Sequence, residues 1–97
     1  MKLELIGREY QIDDKLKTLL EKKLKRLDKY FAPDAPAKLV ITQTGNDCGM
    51  DLTIFADKTV RAEASGKDAY KVIDLIVPRV KRQFRKEHTR KIAKREK

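Results

Sequence analysis

The chain has 97 residues, 40% of them charged and 40% hydrophobic, and carries a formal net charge of +9. That length supports one small domain over residues 1–97 with one modest core and excludes a second. Cys48 is the only cysteine, which excludes an internal disulfide and a zinc site of clustered cysteines.

Lys2 to Ile6 alternates, with Leu3 and Leu5 on one side and Lys2 and Glu4 on the other, which predicts a short half-buried strand ended by Gly7. Asp13 and Asp14 then precede Leu16, Leu19, Leu20, Leu24, Leu27 and Phe31, spaced by threes and fours. This stripe predicts a first helix over Asp13 to Phe31, with Asp13 as its cap and both carboxylates at the positive end of its dipole. Pro33 and Pro36 stop it. Lys38 to Thr44 is rich in β-branched residues and predicts a second strand, parallel to the first across the helical crossover.

Gly45 to Gly49 reads as a loop by composition. Met50 to Ala56 alternates again, with Met50, Leu52, Ile54 and Ala56 in phase, and Asp57-Lys58 forms a turn. Thr59 to Ala64 returns as a fourth strand with Val60, Ala62 and Ala64 in phase. Those small alanines let a helix lie close to the sheet.

Asp68 caps the second helix, whose apolar stripe is Ile73, Ile76, Val77, Val80 and Phe84. Pro78 falls inside it and predicts a kink over Asp74 to Pro78, or two short helices meeting there. The order is β-α-β-β-β-α, an α+β fold with a four-stranded sheet and two helices packed on one face. Residues 88–97 are mostly basic and are expected to fray.

The charge is uneven. Residues 13–31 hold seven cations and four anions, residues 32–66 three cations and five anions, and residues 67–97 twelve cations and four anions. The excess therefore lies on the two helices. Arg79, Arg82, Lys86 and Arg90 share a face turned away from the apolar stripe. Lys15, Lys22, Arg26 and Lys29, with Lys25 beside them, flank the leucine stripe of the first helix. A face built for solubility alone would mix the signs. Two cationic flanks side by side suit the regularly spaced phosphates of nucleic acid, with an acidic membrane surface a second candidate. Tyr10, Tyr30 and Tyr70 are scattered and no aromatic pair lies on a strand, so folded RNA fits better than a single strand read base by base.

No enzyme chemistry is visible. His88 stands among charges without an orienting partner, and Cys48 neighbours Asp47 rather than a cation. Phosphate-binding glycine loops and metal-ligand spacings are missing, so neither cofactor nor metal is expected. No apolar run approaches a membrane span and the amino terminus carries no signal-peptide core, so a cytoplasmic location is expected.

The opening MKLELIGREYQIDDKLKTLLEKKLKRLDKYF resembles the start of the bacterial ribosome hibernation-promoting factors. So does ASGKDAYKVIDLIVPRVKRQFRK, through Asp68, Tyr70, Ile73, Asp74 and the basic run that follows. The ribosome-associated inhibitor, protein Y, is similar. The resemblance covers nearly the whole chain and implies the same β-α-β-β-β-α fold. It implies binding to ribosomal RNA of the small ribosomal subunit, in the channel used by transfer RNA and messenger RNA, with translation inhibited in stationary phase or stress. By position it implies RNA contacts from Lys22, Lys25, Arg26 and Lys29, and from Arg79, Arg82, Arg85, Lys86 and Arg90.

The chain resembles the short form of the family, without the carboxy-terminal domain that pairs ribosomes, so it is expected to be monomeric off the ribosome and not to pair ribosomes alone. No small-molecule substrate is implied. Pro78 departs from the family pattern. The other function that the resemblance implies is modulation of an alternative sigma factor through protein contacts.

Overall fold

The computed structural model describes the backbone of residues 1–96 and the side chains of residues 1–85. The strands are β1 (Lys2–Arg8), β2 (Pro36–Thr44), β3 (Asp47–Ile54) and β4 (Val60–Gly66). Helix α1 (Asp14–Leu24) continues into a short 3-10 turn (Lys25–Leu27), and α2 spans Ala69–Glu96. The order is the expected β-α-β-β-β-α, in the α+β class.

The sheet order is β1-β2-β3-β4. β1 runs parallel to β2, with Leu5 opposite Leu39, while β2–β3 and β3–β4 are antiparallel. Leu39 faces Leu52, and Leu52 faces Ala62, so one apolar row crosses three strands. Leu39, Ile41, Met50, Leu52 and Ile54 from the sheet share one core with Leu16, Leu20, Leu24, Ile73, Ile76 and Val80 from the helices. Both helices thus close one face of the sheet, and α2 lies chiefly over β4 and β3. Burying each Leu or Ile side chain contributes about 1.5–3 kcal/mol. Ala62 and Ala64 are buried under α2, as their small size requires for close approach.

Both caps form as expected. The Leu16 N–H donates to Asp13 Oδ1 at 2.7 Å, and the Tyr70 N–H donates to Asp68 Oδ1 at 2.9 Å.

Several boundaries differ from the sequence expectation. β1 passes through Gly7 to Arg8 and then folds back, with Glu9 at φ 53°. A Cβ at Gly7 would collide with the Tyr10 carbonyl oxygen, so glycine is needed there for close approach rather than for strand termination. α1 ends at Leu24, not Phe31; Leu27 and Phe31 still reach the core through the 3-10 turn and the segment after it. β2 begins at Pro36, which needs no N–H at a strand's first residue.

The expected loop over Gly45 to Gly49 is mostly strand. Thr44 pairs with Asp47, leaving Gly45 at φ 60° and Asn46 as the turn. Cys48 is therefore a core residue of β3, and Ala56, beyond the end of β3, is exposed. α2 runs unbroken past Pro78, which excludes two separate helices. Pro78 itself is exposed, so its ring lies away from the core.

Candidate nucleic-acid interface

α1 and α2 lie side by side, and one ion pair fixes which flanks face each other. Lys23 Nζ on α1 sits 3.0 Å from Asp74 Oδ1 on α2. Lys22 on α1 adjoins Lys23, and Arg26 in the 3-10 turn follows it by three residues, so both stand on or beside the α2-facing flank. Both are exposed. On α2, Lys81 and Arg85 follow Asp74 by about two and three helical turns and share its α1-facing flank. Arg85 is exposed and Lys81 half-buried.

The remaining predicted cations spread to the borders of this two-helix surface. Lys25, the first residue of the 3-10 turn, is exposed on the opposite side, beside a hollow it lines with Met1, Leu3 and Leu5. Lys29 is exposed just past the 3-10 turn, its Nζ 5.2 Å from the centre of the Tyr30 ring. Arg79 is exposed on the far flank of α2, where its guanidinium donates to the Glu63 carbonyl oxygen at the outer edge of β4. Gln83, one turn on, accepts from the Arg61 N–H through Oε1 at 3.2 Å. Arg82 is exposed between the two flanks. Lys86 and Arg90 lie outside the described side chains, as do His88 and the expected frayed tail of residues 88–97.

The structure therefore sets Lys22 and Arg26 beside the Lys23–Asp74 pair and Arg85 about three turns further along the same flank of α2, with Arg82 at the outer crest of α2. It leaves Lys25 and Arg79 on opposite borders. Arg79 spends part of its hydrogen-bonding capacity on the open edge of β4, where an unpaired carbonyl would otherwise invite another strand. Sequence reading missed Lys81. Its place directly after Val80 ties it to the apolar stripe, and its spacing of four from Arg85 is the signal that could have found it. Lys23 was passed over as a binding residue, and its ammonium is engaged by Asp74.

The opposite face of the sheet differs in charge. Strand alternation sets Lys2, Arg8, Lys38 and Arg61 there beside Glu4, Asp47, Asp51 and Glu63, so its charges balance. Arg61 Nε donates to Asp51 Oδ1 at 3.1 Å. That hydrogen bond is the main cause that raises the guanidinium's pKa above its ordinary value. Arg61 is thus neutralised locally, whereas the exposed cations of α2 face solvent without an acidic partner at contact distance among the described residues.

Little else offers chemistry. Cys48 is buried, and burial pushes its thiol above the ordinary value, the reverse of an activated nucleophile. Among the described residues no group of three His, Cys, Asp or Glu could hold a metal ion, and no helix is long and apolar enough to cross a membrane.

Comparison with known proteins gives a consistent picture. Residues 3–92 match the family described as Sigma 54 modulation protein / S30EA ribosomal protein. The chain is 33% identical over 94 residues to the ribosome hibernation promotion factor of Staphylococcus aureus, a match covering 93% of this chain and 50% of that protein. The chain thus spans about half the length of that relative.

Among solved structures, it is similar to the crystal structure of the Thermus thermophilus protein Y N-terminal domain. That match has a TM-score of 0.78 and 33% identity, covering 89% of this chain and 98% of the other. A ribosomal subunit interface protein from Coxiella burnetii shares the fold at a TM-score of 0.79 and 23% identity, over 92% of this chain and 99% of that one.

Proposed function

Because the chain belongs to the Sigma 54 modulation protein / S30EA ribosomal protein family, we propose that it is a ribosome hibernation factor acting in the cytoplasm. In this reading it binds ribosomal RNA of the small subunit in the transfer RNA and messenger RNA channel. Occupying that channel inhibits translation in stationary phase or stress. The chain acts by occupancy, without a catalytic step, cofactor or small-molecule substrate, and is a monomer off the ribosome.

The observation that carries the reading is the electrostatic difference between the two faces. Lys22, Lys25, Arg26, Arg79, Arg82 and Arg85 are exposed across the paired helices, while the open sheet face balances its charges. Long flexible cations at that spread can reach several backbone phosphates at once, and each contact releases condensed counterions. Lys29, Lys86 and Arg90 complete the proposed RNA-facing set.

Sedimentation with purified small subunits across a salt series tests the proposal. The chain is expected to travel with the small subunit at low salt and to lose affinity as a steep power of salt concentration. A flat salt dependence would contradict RNA binding through these cations. Binding to a sigma factor in place of the subunit would assign the chain to the protein-contact role that the family description also carries.

A further inference from the structure

A groove with aromatic walls opens at one end of the fold, where the segment after the 3-10 turn leads into β2 and where β3 turns into β4. Tyr30, Phe31, Pro36, Phe55, Val60 and Phe84 line it, and it encloses about 560 Å³. Its rings come from three separate stretches of chain. Tyr30 and Phe84 lie with ring centres 5.2 Å apart and planes tilted by 50°. Phe31 meets Phe84 nearly edge-on at 5.6 Å and 72°. These contacts hold Tyr30 and Phe84 against the core and fix the orientation of their rings. Phe55, by contrast, keeps 48% of its surface exposed at the groove's edge.

The charged groups that line the groove are two carboxylates, Asp34 and Asp57, and the ammonium of Lys58. The carboxylates outnumber the ammonium, and both are hydrogen-bond acceptors when ionised. They attract N–H donors. Lys29 stands just beside the groove at the Tyr30 ring, on the same stretch of chain that continues the cationic flank of α1. A flat heterocycle that carries N–H donors on its edge and a phosphate on its far side matches this arrangement. The rings supply stacking faces, the carboxylates accept from the edge, and the Lys29 ammonium meets the phosphate outside.

We propose that this groove receives an unstacked nucleobase bearing an exocyclic amino group, taken from the RNA that the two helices engage. The proposal rests on the RNA-binding reading above and adds a base-recognition site to a phosphate-binding surface. Adenine, cytosine and guanine carry the required amino group. Uracil offers a single ring N–H and is the poorest fit.

Two measurements test it. The first titrates the isotope-labelled chain with AMP, CMP, GMP, UMP and inorganic phosphate and follows the aromatic ring signals by NMR. The three amino-bearing nucleotides are expected to shift the Tyr30, Phe55 and Phe84 ring signals most, UMP less so, and phosphate least. Ring signals that stay still with every nucleotide, or that move equally with phosphate, overturn the proposal.

The second compares Phe55→Ala and Phe55→Tyr with the parent in small-subunit binding. Phe55 is too exposed for its loss to unfold the chain. Phe55→Ala is expected to weaken binding about tenfold, from the stacking one base contributes, and Phe55→Tyr to restore it. The salt slope should be unchanged, because no phosphate contact is lost. Parent-like binding by Phe55→Ala overturns the proposal. A parent that fails to bind the subunit overturns the RNA-binding reading instead, and the nucleotide titration then decides the groove by itself.

Discussion

Reversing charges in pairs separates a located RNA surface from a general effect of net charge. Three double variants serve: Lys22→Glu with Arg26→Glu on α1 and its 3-10 turn, Arg82→Glu with Arg85→Glu on α2, and Arg8→Glu with Lys38→Glu on the open sheet face. Each reversal removes two units of charge, so every variant falls from +9 to +5. All six side chains are exposed, and none of them takes part in an ion pair within the described residues. Each substitution should therefore change stability by only about 0.5 kcal/mol.

A cation touching a phosphate at contact distance in water contributes about 1 kcal/mol. Exchanging two attractions for two repulsions removes about 4 kcal/mol, close to a thousandfold in affinity. Screening at about 0.15 M salt reduces this to about a hundredfold. The log–log salt slope should fall by about 1.5 for each helix variant, because two phosphate contacts are gone. The sheet-face variant lies beyond a Debye length from the RNA, so its slope should match the parent and its affinity should drop only a few-fold. Circular dichroism verifies folding, and small-subunit binding from about 0.05 to 0.2 M salt gives the slopes. Equal losses in all three variants would refute the assignment of RNA binding to the helices.

Other outcomes follow from the fold. Pro78 sits on the exposed side of an unbroken helix and cannot donate to the carbonyl of Asp74, so Pro78→Ala should raise the unfolding free energy by about 1–3 kcal/mol; a lower melting temperature would show that the ring has a packing role. The Lys23–Asp74 pair is partly exposed, and a double-variant cycle with Lys23→Met and Asp74→Asn should give a coupling of about 0.5–1 kcal/mol that shrinks with salt.

Burial raises the Cys48 thiol above its ordinary value of 9.0, and burial followed by nearby charges raises Tyr10 above 10.0. Groups with raised folded values contribute stability that is complete below their unfolded values and lost as pH climbs through the folded ones. Urea midpoints should thus begin to fall above about pH 9, and Cys48→Ala should remove the earlier part of that fall. An unchanged alkaline profile in Cys48→Ala would contradict the role of burial.

Much of this architecture is legible in the sequence because alternation and three-to-four spacing carry the burial pattern directly. Leu3 and Leu5, Leu52 and Ile54, Val60 to Ala64, and both helix stripes all fall where those periods put them. The boundaries are less legible. Leu27 and Phe31 keep a helical spacing after the α-helix has ended, because a 3-10 turn still directs both into the core. Gly-Asn-Asp-Cys-Gly has the composition of a loop, yet only Gly45 and Asn46 are needed to turn the chain, and cross-strand pairing with β2 claims the rest.

The cations of the site are visible as rows, but a helical wheel has no neighbour. Only the packing of α1 against α2 separates Arg85, which faces the seam, from Arg79, which reaches β4. The aromatic groove is invisible in one dimension, since Tyr30, Phe55 and Phe84 come to line one groove only when the segment before β2, the β3–β4 turn and α2 converge.

The central claim is that the two helices, and not the sheet, meet ribosomal RNA in the channel for transfer RNA and messenger RNA. The most direct test is a cryo-electron microscopy map of the small subunit with this chain bound. It should show α1 and α2 against ribosomal RNA within that channel, with Arg26, Arg82 and Arg85 at backbone phosphates and the open face of the sheet turned away. Density for the chain outside the channel, or with Lys38 and Arg61 of the sheet against the RNA, would contradict the account.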